Sequence, residues 1–153
     1  MDSWTRFAES LFRLNGLLIA AGDGITRPIG QSSARWQVLG GLGYGPQTVA
    51  DLARSFGHAR QSVQRVVNAL IEEGLVAQRP KEDDRRTFLL EMTADGRAVL
   101  ARIYARQMEW SDRFASGLDS SELEILAKAL RRIGDSVAED TRTEENFETT
   151  PPG

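Results

Sequence analysis

The sequence contains no cysteine and only one histidine, His58, among its 153 residues. Without cysteine the chain cannot form disulfides, thiolate zinc sites, iron–sulfur clusters or a thiol-based redox sensor. The longest apolar stretch, residues 17–21, is far too short to span a bilayer, and the N-terminus carries acids where a secretory leader is basic. We therefore expect a cytoplasmic protein with no membrane partner.

The chain also lacks an excess of positive charge. Acidic residues (22) outnumber basic residues (19), the net charge is −3, and 17 of the basic residues are arginine. Arginine suits bidentate contact with phosphates and guanine edges, but a GC-rich genome explains an arginine-rich composition equally well. Residues 139–153 contribute a net charge of −4, which leaves the rest of the chain at +1. The distribution of charge must therefore indicate the partner, because its total does not.

Apolar residues recur at the helical spacing of three and four in the first part of the chain. This spacing predicts a helix over about residues 3–21, which the glycine-rich segment from Gly22 should end. A short second helix is predicted from Ser33. A third is predicted over residues 49–56, opened by a capping-box sequence.

The segment Arg60–Glu73 carries the most informative pattern. It predicts a helix with an apolar stripe on one side and, at i, i+3, i+4 and i+7 on the other, the polar residues Gln61, Gln64, Arg65 and Asn68. No acidic residue lies between Arg60 and Asn68, although the chain is acidic overall. By itself this pattern fits either a DNA-contacting surface or the solvated face of an ordinary amphipathic helix.

A β-hairpin and two more helices follow. Two strand-like runs, residues 75–79 and 87–92, flank a charged turn and predict the hairpin. Helical spacing returns over residues 94–116 and 119–138. Because residues 139–153 are rich in acids and contain two prolines, we expect them to form an acidic disordered tail.

Three motifs in this order resemble those of the MarR family of bacterial transcriptional regulators. They are the run Leu70, Gly74, Leu75 and Val76 at the end of the polar-faced helix, then Asp84, Arg85 and Arg86 in the hairpin, then Met92, Thr93 and Gly96 at the start of the next helix. The family usually has leucine at the position of Met92. The resemblance covers about residues 3–138, and helices followed by a charged hairpin are typical of a winged helix-turn-helix.

The resemblance implies a mainly α (α+β) fold with two functional regions. Residues 31–93 would form the winged helix-turn-helix, and residues 1–30 and 94–138 would form a helical dimerisation region. The homodimer would bind double-stranded DNA at a pseudo-palindromic operator, with two recognition helices about 34 Å apart in successive major grooves. We expect a repressor released by a small-molecule effector. The alternatives are an effector-independent DNA binder and a winged-helix module for protein–protein interaction.

DNA contacts can be assigned by side-chain chemistry. Arginine pairs with guanine, and glutamine or asparagine with adenine, in the major groove. The polar face of the fourth helix, formed by Gln61, Gln64, Arg65 and Asn68, can pair with base edges. We assign base reading to Gln61, Gln64 and Arg65. The first turn of that helix suits phosphate better, through Arg60 and Ser62. At the start of the second helix, phosphate contact and simple capping or surface roles are equally open for Ser32, Ser33 and Arg35.

Basic residues in the hairpin form the second candidate contact. An arginine on a thin β-ribbon can enter the minor groove, where negative potential is concentrated, and Arg85 and Arg86 are in the right position. By resemblance, Asp84 pairs with an arginine and orients the hairpin. The alternative is that Arg86 is held in that pair and only Arg85 or Lys81 contacts DNA.

Aromatic residues form a candidate effector cleft. The family often binds small aromatic or phenolic molecules between its dimerisation and DNA-binding regions, and by resemblance such a cleft would contain Trp36, Tyr104, Trp110 and Phe114. Core packing explains the same residues. The sequence has no glycine-rich phosphate loop, no Ser–His–Asp arrangement and no carboxylate–histidine cluster beside His58. We therefore expect no metal, no cofactor and no enzymatic activity.

Overall fold

The computed structural model describes the backbone of residues 1–148 and the side chains of residues 1–142. Within these residues the chain forms six α-helices and one two-stranded antiparallel sheet, which confirms the mainly helical winged-helix fold. In chain order the elements are α1 Ser3–Thr26, α2 Ser33–Leu42, α3 Val49–Phe56, α4 Arg60–Glu72, β1 Val76–Pro80, β2 Phe88–Met92, α5 Ala94–Asp112 and α6 Ser120–Glu148. The chain divides into two compact units, Met1–Trp110 and Ser111–Gly153.

The first helix is longer than predicted. It continues past Gly22 to Thr26, so the predicted end near residue 21 is wrong. Gly22 lies where α2 approaches α1, and a Cβ there would overlap the hydroxyl of Ser33, which donates to the Ile19 carbonyl at 2.7 Å. This glycine therefore permits close helix packing. The chain turns only at Gly30, whose φ of +72° is in the left-handed region that favours glycine.

The core of the winged helix lies between α2, α3, α4 and the sheet. Its most completely buried apolar side chains include Leu39, Leu52, Val67, Leu70 and Leu90. The two strands pair antiparallel with Val76 opposite Met92. Gln47, just before α3, exchanges two backbone hydrogen bonds with Leu90 and extends the sheet by one bridge. These contacts fix the hairpin, or wing, beside α4.

Gly74 and Gly96, which belong to two of the family motifs, lie close together where α4, β1 and α5 join. The hydroxyl of Thr93 donates to the Gly74 carbonyl at 2.7 Å and accepts from the amide of Gly96 at 3.1 Å. Gly74 has a φ of +74°, and a Cβ on Gly96 would overlap the Leu75 carbonyl oxygen. Both glycines are therefore required by local geometry. Their spacing reflects a junction that anchors the wing to α5.

The C-terminal helix extends into the predicted tail. Because α6 continues to Glu148, the prediction of disorder is wrong for residues 139–148. This stretch contains neither proline nor glycine and is rich in glutamate, a good helix former, while the prolines come later at 151 and 152. The remaining predicted tail, residues 149–153, lies outside the described residues.

Two helices expose large apolar side chains in the single chain. On α1 these are Trp4, Phe12, Leu14, Leu17 and Leu18, and on α6 they are Leu123, Ile125, Leu126, Leu130 and Val137. On each helix, several exposed apolar side chains of this kind are typical of an interaction surface. Among residues 1–148, no helix has the length and hydropathy that crossing a membrane requires.

Candidate nucleic-acid interface

The helix α4 presents its polar face to solvent. The exposed side chains are those predicted from the spacing, namely Arg60, Gln61, Ser62, Gln64, Arg65 and Asn68. Beneath them Val63, Val67 and Leu70 are buried against the core. The amide nitrogen of Gln64 donates to the amide oxygen of Asn68 at 2.8 Å, which orients two potential base-contacting groups on one side of the helix.

A groove with a volume of about 590 Å³ lies between α4 and the wing and forms a concave surface. From α4 it is lined by Arg60, Gln61, Gln64 and Asn68, and from the wing by Gln78, Arg86, Thr87 and Phe88, among others. Arg86 therefore shares a surface with Gln61, Gln64 and Asn68. Arg65 is exposed on α4 but does not line this surface, and Arg85 and Lys81 also lie outside it. Gln78 and Phe88 were not identified from the sequence, because only the strand pairing brings them to this surface.

Asp84 organises the turn of the wing without the predicted arginine pair. Its carboxylate accepts from the backbone amide of Arg86 at 3.1 Å and from the hydroxyl of Thr87 at 2.7 Å. The Thr87 hydrogen bond, and then that of Arg86, lower the pKa of Asp84. No arginine among residues 1–142 forms an ion pair with Asp84. Asp84 therefore holds Arg86 through its backbone amide and not through its guanidinium.

The start of α2 is occupied by internal contacts. The hydroxyl of Ser32 caps the helix by accepting from the Arg35 amide at 3.2 Å, and Ser33 is buried against α1. The guanidinium of Arg35 forms two hydrogen bonds to the Glu73 carboxylate at 2.6 and 2.7 Å, which lower the pKa of Glu73. Of the two interpretations of these residues, the geometry favours structural roles over phosphate contact.

His58 contacts Gln37 and Phe56 and does not belong to a cluster of metal ligands within the described residues. Its Nε2 lies 3.0 Å from the amide oxygen of Gln37, and its ring stacks on Phe56 with the centroids 6.4 Å apart. The next residue, Ala59, is the N-cap of α4 and provides no side-chain hydrogen bond. Within the described part of the chain, no group of three or more histidine and carboxylate side chains is arranged to hold a metal ion.

A cavity of about 440 Å³ lies within the first unit and is lined mainly by α1, α2 and α5. Three of the four predicted cleft residues line it: Trp36, Tyr104 and Trp110. The rings of Trp36 and Tyr104 meet edge to face at 6.5 Å, and Tyr104 is 43% exposed, so it is not a core residue. The fourth predicted residue, Phe114, belongs to the second unit.

The sequence interpretation missed the polar lining of this cavity. Side chains that provide hydrogen-bonding groups there include Asn15, Gln37, Tyr44 and Gln107. A signal for one of them was present, because Gln107 lies three residues from both Tyr104 and Trp110 and therefore shares their helix face. The sequence does not indicate that Gln37 lines the cavity, because this depends on how α2 packs against its neighbours.

Comparisons with known proteins agree with this architecture. The MarR family profile matches residues 24–87, which include α2, α3, α4 and most of the wing. An uncharacterised protein of Mycobacterium tuberculosis is 36% identical over 132 residues, covering 86% of this chain and 92% of that protein. The transcriptional activatory protein BadR of Rhodopseudomonas palustris is 31% identical over 103 residues, covering 65% of this chain and 59% of BadR.

The fold also matches solved structures. CouR of Rhodococcus jostii, determined with bound p-coumaroyl-CoA, superposes with a TM-score of 0.74 at 22% identity, covering 84% of this chain and 91% of CouR. Fold and family are those of transcription regulators and not of enzymes. From its motifs, its winged helix and these relatives, the chain belongs to the MarR family of transcriptional regulators.

Proposed function

We propose that the protein is a homodimeric, sequence-specific DNA-binding repressor that a small aromatic or phenolic effector releases from its operator. The observation that carries this proposal is the concave surface shared by the polar face of α4 and Arg86 of the wing. An α-helix fits the major groove, and an arginine on a β-ribbon fits the narrow minor groove. One protomer can therefore contact both grooves at once.

Side-chain chemistry separates the proposed DNA contacts into base contacts and phosphate contacts. Gln61, Gln64 and Arg65 read base edges, and Asn68 supports Gln64 through their amide hydrogen bond. Phosphates are contacted by the first turn of α4, through Arg60 and Ser62, because amides of a helix N-terminus also point there. On the wing, Arg86 acts beside α4 and Arg85 acts from the tip.

A second copy of the chain covers the exposed apolar side chains of α1 and α6. Leu17 and Leu126 are each about half exposed in the single chain, at 52% and 51%, so each offers apolar area to a partner. A twofold dimer repeats the same recognition helix on both sides. The operator is then a pseudo-palindrome with half-sites about 10 base pairs apart, one turn of the duplex.

The effector part of the proposal rests on the cavity lined by Trp36 and Tyr104. CouR, a protein of similar fold, has been determined with p-coumaroyl-CoA bound, which supports a small-molecule ligand for this chain. Moving an equilibrium between two conformations from 1:99 to 99:1 takes about 5.5 kcal/mol of differential affinity. BadR is named as an activator, so transcription in vitro from an operator-linked promoter must distinguish repression from activation.

Two arginine variants test the division of DNA contacts. We expect Arg65→Ala to cost about 1–3 kcal/mol of binding and to relax preference at one base pair, because a bidentate contact with guanine is lost. Arg85→Ala should weaken binding evenly across sequences and reduce the salt slope by about one. Titration of specific and random duplexes at several salt concentrations measures both effects.

The control is Arg102→Ala, which removes the same charge from an exposed position on α5. It should leave base preference unchanged. Equal, sequence-independent losses in the Arg65 and Arg85 variants would contradict the division of roles. Salt-independent association with no preference for any duplex would instead favour a protein-interaction module, since contacts with phosphate release counterions.

A further inference from the structure

The cavity between α1, α2 and α5 is lined mainly by apolar side chains, and its polar side chains are uncharged. None of its lining side chains, all within residues 15–110, belongs to arginine, lysine, histidine, aspartate or glutamate. Its hydrogen-bonding groups include three amides and two phenols, from Asn15, Gln37, Gln107, Tyr44 and Tyr104. Amides and phenols can donate and accept hydrogen bonds without neutralising a net charge.

Two groups that could attract an anion to this cavity are already paired with carboxylates. Ser33 opens α2 and lines the cavity, but its amide donates to the Asp23 carboxylate at 2.8 Å. The positive end of the helix is therefore occupied by a carboxylate that would repel a second anion. Arg35 of α2 is paired with Glu73. Arg106 of α5 does not line the cavity, and its Nε donates to the Ile25 carbonyl at 2.6 Å.

Size and shape restrict the ligand further. A cavity of about 150 Å³ holds benzene, and ligand pockets generally measure about 300–1,000 Å³. At about 440 Å³, this cavity is large enough for two or three rings. Trp36, Phe56 and Trp110 supply aromatic surfaces against which planar rings can stack.

We propose that the cavity selects an electrically neutral, planar aromatic ligand of two or three rings and discriminates against the corresponding carboxylate. The proposal deepens the proposed function, on which it rests, by naming the charge class of the effector. Burying an ionised carboxylate without a cationic partner is costly, whereas a neutral amide or hydroxyl can exchange its water for the side-chain amides.

The test uses an isosteric pair, naphthamide and naphthoate, titrated calorimetrically into the full-length protein near neutral pH. We expect naphthamide to bind at least tenfold more tightly than naphthoate. Gln107→Arg introduces a cation into the cavity lining and should shift the preference at least tenfold toward naphthoate. Ala98→Arg adds the same charge at an exposed position of α5, outside this cavity and outside the α4–wing surface, and should leave the preference unchanged.

Three results would overturn the proposal: equal or tighter binding of naphthoate, no binding of either compound at millimolar concentration, or an unchanged preference in Gln107→Arg. Failure of the proposed function is distinguishable, because DNA binding by the unliganded protein is measured separately. If naphthamide binds selectively but leaves affinity for a selected operator duplex unchanged, the ligand class is supported and the effector role is contradicted.

Discussion

At the residue scale, Ala59 is a weak point of the recognition helix. It occupies the N-cap of α4 with extended backbone angles (φ −67°, ψ 139°), which suit a capping residue, but it has no side-chain oxygen. The side chain of the preceding residue, His58, is hydrogen-bonded to Gln37. The first amides of α4 therefore lack a side-chain acceptor from their own cap, which leaves them available to a phosphate.

Restoring the cap should stabilise the protein. We predict that Ala59→Ser raises the free energy of unfolding by roughly 0.5–2 kcal/mol, because a serine hydroxyl at the N-cap accepts a hydrogen bond from an amide of the first helical turn. Urea denaturation measures the change. Ala101→Ser, at an exposed interior position of α5, adds the same hydroxyl and should give no gain, because serine is the weaker helix former. An equal gain in both variants would contradict the capping explanation.

The ion pair of Arg35 with Glu73 gives a pH-dependent prediction. Hydrogen bonds from Arg35 lower the pKa of Glu73 below its ordinary value of 4.5, so the pair stabilises the fold above that pH and is lost as the pH falls through the folded-state pKa. Glu73→Gln should cost about 0.2–1 kcal/mol at neutral pH, a modest amount because Glu73 is 46% exposed. The two proteins should converge in acid.

Urea unfolding at neutral and acidic pH measures this difference. Glu72→Gln is the matched control, since Glu72 is the neighbouring exposed acid and forms no ion pair within residues 1–142. It should change stability little at either pH. A penalty for Glu73→Gln that persists in acid would exclude the ion pair as its cause.

At the scale of elements, the junction of α4, β1 and α5 depends on Gly96. We predict that Gly96→Ala destabilises the fold by at least about 2 kcal/mol, because the added methyl overlaps the Leu75 carbonyl and crowds Met92. Gly134→Ala in α6 meets no atom within 4 Å and should stabilise by up to about 1 kcal/mol. Thermal and urea unfolding of both variants check the contrast. Similar effects of the two substitutions would show that close backbone approach is not the reason for Gly96.

The order and type of the elements were predictable, because periodicity and capping residues are local signals. The end of α1 was not, because Gly22 acts through the approach of α2, which sequence spacing does not contain. The extent of α6 was not predictable from composition, because many acids favour disorder whereas the helix-forming tendency of the same glutamates favours a longer helix.

Part of the candidate site was also predictable from the sequence, and part was not. The polar face of α4 follows directly from its spacing, and the structure exposes every residue assigned to it. The roles of Ser33 and Arg35 could not be derived, because their partners Ile19 and Glu73 lie 14 and 38 residues away. The Asp84 interaction differs from the expected one, since nearby Thr87 and the Arg86 amide satisfy its carboxylate.

At the scale of the whole molecule, charge is separated along the chain. The net charge of −3 includes −4 from residues 139–153, so the DNA-contacting part is not acidic overall. The proposed DNA contacts include arginines of α4 and the wing, and no acid lies between Arg60 and Asn68. Binding must therefore weaken as salt concentration rises.

The proposed dimer determines the DNA geometry that we expect. If a second copy covers the apolar side chains of α1 and α6, the two α4 helices are related by a twofold axis. The most direct test is selection of bound duplexes from a random pool by the full-length protein. The account predicts an inverted repeat with half-sites about 10 base pairs apart, and recovery of no preferred sequence, or of one without twofold symmetry, would contradict it.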